Sequence, residues 1–159
     1  LNAFITFLEA EKHRLAVHYE GVEAYPVTVA EVIQLNYPAM LKAESNAAVF
    51  TAMHRLSWGE AHRISTYFIL KKRRQFFSEI EDQQRFDLVY FDAFGARVQP
   101  ELWGEALFSK MFSALKRGGV LVTYAAKGSA RRAMQTAGFT VERLAGPPGK
   151  REMLRAIKR

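Results

Sequence analysis

Cysteine is absent from the 159 residues, which excludes disulfides and thiolate metal sites and permits a reducing compartment. Long apolar runs are missing too. None approaches the roughly 20 residues that a helix needs to cross a bilayer, and no basic-then-apolar leader opens the chain, so a cytoplasmic address is expected. Repeats, low-complexity tracts and linkers are lacking, and the length suffices for one domain with a proper core. The chain starts at Leu1 rather than at a methionine and runs at once into helix-like sequence, so further sequence is expected upstream. Acidic residues are in short supply, 16 against 23 Lys plus Arg, for a net charge of +7. Such a balance favours polyanionic partners, because each neutralised phosphate releases counterions.

What is present reads as strands alternating with helices. Leu1, Phe4, Ile5 and Leu8 recur at helical spacing, and residues 15–23 then read as a strand ending on Glu23. Pro26 and Thr28 introduce a helix over 29–37 that Pro38 should stop. Helix plus loop is expected over 39–60, then one strand over 62–70, followed by the basic run Lys71 to Arg74. Residues 86–94 give the strongest strand signal. The apolar run from Leu88 to Phe91 predicts a parallel strand covered on both faces. The next helix should carry Trp103, Leu107, Phe108, Met111, Phe112 and Leu115 on one face and end at Gly118 and Gly119. A strand over 120–126, a helix capped by Ser129 and closed by Gly138, and an antiparallel hairpin around a Gly-Pro-Pro-Gly turn complete the chain. The expected fold is α/β, a doubly wound and mostly parallel sheet with a C-terminal antiparallel hairpin.

Ligands in open α/β sheets bind beyond the carboxyl ends of the strands, and two carboxylates are expected there. Glu23, if it follows the second strand of a nucleotide-binding sheet, would accept hydrogen bonds from ribose hydroxyls; a solvated loop carboxylate is the alternative. Asp92, partly desolvated between an apolar strand and the loop 94–100, could accept a proton or hydrogen bond from an amine nucleophile, or merely cap a turn. Basic residues expected near the same edge are Lys71 to Arg74, Arg97, Lys127, Arg131, Arg132, Lys150 and Arg151. Tyr25, Phe94 and Trp103 offer faces on which a splayed base could stack, although Trp103 equally fits the apolar face of its helix. His13, His18, His54 and His62 show no metal-ligand spacing with the carboxylates, so no metal is expected.

Residues 92–103 (DAFGARVQPELW), 128–139 (GSARRAMQTAGF) and 146–156 (GPPGKREMLRA) resemble the methyltransferase half of the bacterial tRNA 5-methylaminomethyl-2-thiouridine biosynthesis family, and equally its free-standing methyltransferases. VEAYP (22–26) is similar to the family's ribose-binding segment, and LNAF (1–4) to the tail of its glycine-rich loop. The resemblance spans nearly the whole chain in order. It implies a Rossmann-like fold, S-adenosylmethionine as cofactor, and the aminomethyl nitrogen on C5 of the tRNA wobble uridine as methyl acceptor. It places Leu1, Asn2, Glu23, Ala24, Asp92, Ala93 and Phe94 at the cofactor, with Asp92 facing the amine. It puts Trp103, Arg131, Lys150 and Arg151 on the substrate side. An FAD-dependent oxidoreductase is the implied pathway partner.

Two departures from the family pattern bear on that transfer. The first strand and glycine-rich loop would lie upstream of Leu1, so this stretch alone is expected to hold the cofactor weakly. The run Lys71 to Arg74 stands near where the family carries an acidic residue toward the adenine, which leaves that contact unassigned. Two other readings remain open: a transferase of the same fold acting on a small amine, and a non-catalytic RNA-binding remnant.

Overall fold

In the computed structural model, which describes residues 1–95, 97–146, 149 and 151–159, helix α1 (Asn2–His13) buries Phe4, Phe7 and Ala10. This stripe is rotated from the one expected, and Ile5 is left exposed. Phe4 meets Phe50 edge-on at 5.1 Å and Phe7 meets Phe68 edge-on at 5.7 Å, so aromatic packing selects the face. Lys12 and His13 in the last turn lie where the helix dipole favours positive charge.

The chain divides into two compact units, Leu1–Phe76 and Phe77–Arg159. In the first, β1 (Val17–Val22) runs parallel to β3 (Phe68–Arg73), in register from Val17↔Phe68 to Val22↔Arg73. The single strand expected over 62–70 is instead two strands. β2 (Ala61–Arg63) pairs antiparallel with β3, and the Ser65 hydroxyl accepts from the backbone N–H of Tyr67 and Phe68, each at 3.1 Å, to turn the chain. Helix α2 (Val29–Gln34) starts as predicted at Thr28, which forms a reciprocal capping box with Glu31. Pro38 does not stop it: α2 ends at Gln34, and Pro38 opens the short helix α3 (Tyr37–Met40), where a missing N–H costs nothing. Helix α4 (Ala47–Arg55) adds Phe50 and Met53 to the core.

The basic run belongs mostly to β3 and is largely engaged. Arg73 pairs with Glu20 at 3.2 Å, both side chains being mostly buried. Lys72 donates to the His54 carbonyl at 2.8 Å and lies 4.8 Å from the Trp58 ring centroid.

The second unit is a four-stranded sheet of order β4 (Phe86–Tyr90), β5 (Leu115–Thr123), β7 (Glu152–Ile157) and β6 (Thr140–Ala145). β4 and β5 are parallel, whereas β5–β7 and the hairpin β6–β7 are antiparallel. The fold is therefore α/β with mixed sheets. Helices α5 (Glu105–Ala114) and α6 (Gly128–Thr136) contribute Phe108 and Met134, both fully buried. Three expectations need correction. β4 is covered on one face only: Leu88 and Tyr90, two apart and so on one side of the pleat, are 44% and 43% exposed. Helix α5 stops at Ala114, so Leu115, Gly118 and Gly119 lie in β5, and Trp103 belongs to the short 3-10 turn Pro100–Trp103. Ser129 lies inside α6, whose N-cap is Lys127.

Candidate active site

Asp92 lies two residues past β4, after Phe91. The Phe91 N–H donates to the Val122 carbonyl at 2.8 Å, so strand pairing persists one residue past β4. Extended backbone alternates its side chains, and here Phe91 and Ala93 are buried while Asp92 and Phe94 are exposed. The expected desolvation of Asp92 is thus not observed, because alternation turns its side chain to the open face.

The turn is fixed by two side chains from elsewhere. The Tyr124 hydroxyl, just past β5, donates to the Ala93 carbonyl at 2.8 Å. The Trp103 indole N–H donates to the Phe94 carbonyl at 2.7 Å. Burial, and then the negative charge of Asp92, push the Tyr124 phenol above its ordinary range.

Glu23 stands in the first unit, just past β1. Its N–H continues the ladder to the Arg73 carbonyl at 3.0 Å. Oε1 of its exposed carboxylate accepts from the Tyr25 N–H at 2.8 Å, which leaves a second oxygen for other donors. Ala24 is half-buried beside it. Leu1, exposed, and Asn2, half-buried, open α1.

The other expected residues separate by environment. Trp103 is buried, with its ring edge-on to Phe91 at 5.3 Å and Tyr124 at 6.1 Å. It offers no stacking face for a base and is corrected from a substrate contact to a support of the turn. Phe94 and Tyr25 are 70% and 73% exposed and keep such faces. Arg131, in the first turn of α6, is half-buried, and its Nε is buried with no hydrogen-bond partner among the described residues. Lys127, Arg132, Arg97 and Arg151 are exposed. Lys150 lies outside the described residues. Among the described residues no cluster of three or more His, Cys, Asp and Glu side chains could hold a metal ion. The sequence reading missed Tyr124, whose only signal is a polar-tipped aromatic within the strand expected over 120–126.

An exposed carboxylate beyond β1 and another beyond β4 are acceptors suited to hydroxyls and to a cationic amine. S-adenosylmethionine offers both kinds of partner, a ribose diol and positively charged groups. A model of the S-adenosyl-L-methionine-dependent methyltransferase family matches residues 34–159, and the chain belongs to that family. It is similar to the tRNA 5-methylaminomethyl-2-thiouridine biosynthesis bifunctional protein MnmC of Pseudoalteromonas atlantica, with 28% identity over 177 aligned residues, 99% of this chain and 24% of that protein. The protein of the same name from Aromatoleum aromaticum is 28% identical over 150 residues, covering 90% of this chain and 23% of that protein. The chain therefore spans about a quarter of the length of these curated relatives. Among solved structures, MNMC2 of Aquifex aeolicus shares the fold at a TM-score of 0.70 and 22% identity, over 99% of this chain and 49% of that one. The fold is the Rossmann-like methyltransferase fold, and the cofactor of the family is S-adenosyl-L-methionine.

Proposed function

We propose that the two units serve together as one methyltransferase domain, which methylates the aminomethyl nitrogen on C5 of the wobble uridine of tRNA. The observation that carries this reading is the similarity to MnmC proteins along 90–99% of the chain. The exposed Asp92 carboxylate beyond β4 supports it. Glu23 would hold the cofactor ribose through the oxygen left free of the Tyr25 turn. Leu1, Asn2, Ala24, Ala93 and Phe94 would supply backbone and apolar contacts to the cofactor.

When bound, S-adenosylmethionine supplies an electrophilic methyl group on a sulfonium. The acceptor nitrogen, in its neutral form, would take that methyl group through its lone pair and shed one proton in the exchange. Asp92 accepts a hydrogen bond from the amine, orients its lone pair and takes up that proton. Arg131 and Arg151, with Lys150, would meet the RNA backbone through their positive charge. An FAD-dependent oxidoreductase acting on the same nucleoside is the proposed partner, and the cytoplasm the proposed site of action.

The test follows labelled methyl groups from S-adenosylmethionine, using the protein in its full natural length. Incorporation is expected into tRNA bearing the aminomethyl group and not into tRNA lacking it. Equal labelling of free small amines without tRNA would instead indicate a small-amine transferase.

A further inference from the structure

Resting on the methyl-transfer reading above, we propose that Trp103 and Tyr124 are positioning residues, whose hydrogen bonds to consecutive backbone carbonyls hold the Asp92–Phe94 turn so that Asp92 is presented to the acceptor nitrogen. Asp92 is exposed, so the packing that immobilises a core side chain does not act on it. The main chain is restrained on either side of it. Before it, Phe91 is tied to β5 by its N–H bond to Val122 and is buried against Trp103, 5.3 Å between ring centroids and nearly perpendicular. After it, the carbonyls of Ala93 and Phe94 are held by the Tyr124 hydroxyl at 2.8 Å and the Trp103 indole at 2.7 Å. The two donor rings lock each other edge-to-face at 6.1 Å. One aromatic cluster thus fixes the backbone on both sides of a carboxylate that has only two side-chain torsions of its own.

The nearness of the cluster to that carboxylate has a separate sign. After burial, the charge of Asp92 is the second cause of the raised Tyr124 pKa. The proximity is useful because catalytic groups act only within a narrow geometric tolerance, and a misplacement of about 1 Å can cost on the order of a hundredfold in rate. A buried indole N–H normally finds an acceptor for stability alone, so the test has to separate positioning from folding.

Trp103→Phe and Tyr124→Phe each keep a ring and remove a donor. In the full-length protein, Trp103→Phe should lower kcat for methyl transfer by about 10- to 100-fold, with KM for tRNA within about twofold. Tyr124→Phe should act in the same direction and more weakly. A folded Trp103→Phe protein with wild-type kcat would overturn the proposal.

A second measurement needs no turnover. The chain has two tryptophans, Trp103 and the 37% exposed Trp58. The Trp103 indole proton should exchange with solvent at least about 100-fold more slowly than that of Trp58, and lose protection in Tyr124→Phe. Equal exchange in the wild type refutes the clamp even if the variants do not fold. Absence of wild-type transfer to aminomethyl-bearing tRNA would refute the functional reading instead, and indole exchange would still decide the clamp.

Discussion

His54 is half-buried on α4, with its ring edge-on to Phe50 at 4.8 Å between centroids. Burial holds its pKa below the ordinary histidine value of 6.5, with a smaller contribution from the charge of Lys72. The unfolded chain therefore binds a proton there more readily than the native state. The stabilising contribution is present above about pH 6.5 and is lost as pH falls through the lower native value. Denaturant unfolding of the wild type should show stability declining from about pH 7.5 to about pH 5, and His54→Phe should flatten part of that decline. An unchanged slope would show that His54 is not its source. Asp92 shows the other side of residue-level reasoning. Its strand and its position were legible from the apolar run before it, but its exposure was not, because that depends on which face of the pleat each residue takes.

At the scale of elements, boundaries were harder to read than elements. The hairpin β6–β7 and helix α1 announce themselves through turn residues and periodicity. The join between α5 and β5 does not, since Leu115 continues the helical apolar spacing of Met111 and Phe108 yet begins a strand. Gly118 and Gly119, which read as a helix terminus, form an irregularity in β5: Phe86 faces Leu115, but Leu88 already faces Val120. Gly118 has φ +80°, open to glycine at little cost. At Gly119 a Cβ would come within 2.8 Å of the Lys116 carbonyl and 3.0 Å of the Leu115 side chain. Gly119→Ala should therefore destabilise the protein by about 1–3 kcal/mol, read from thermal or denaturant unfolding. A loss under about 0.5 kcal/mol would mean that the bulge relaxes freely. The strand expected over 62–70 likewise hid a turn, because Ser65 and Thr66 interrupt the alternation without a glycine or proline to mark them.

For the whole molecule, the net charge of +7 already counts Glu20 against Arg73, but Arg73 and Lys72, committed to Glu20 and to the His54 carbonyl, are not open donors for a polyanion. Charge pointed toward nucleic acid, but ordered motifs carried the reading. The Asp92–Trp103 segment and the C-terminal hairpin pointed to a methyltransferase, and the 34–159 match showed the S-adenosyl-L-methionine-dependent methyltransferase family. The places of the candidate residues were legible in part: Glu23 and Asp92 each stand just past a strand end, whereas the support of the Asp92–Phe94 turn by Trp103 and Tyr124 depends on tertiary contacts that no local pattern records. The most direct test compares Asp92→Asn with the wild type in the full-length protein. It would follow single-turnover methyl transfer to aminomethyl-bearing tRNA alongside retention of that tRNA on a filter. We predict a loss of transfer of at least about 100-fold with tRNA retention within about twofold of wild type. Wild-type transfer by a folded Asp92→Asn protein would contradict the role assigned to this carboxylate.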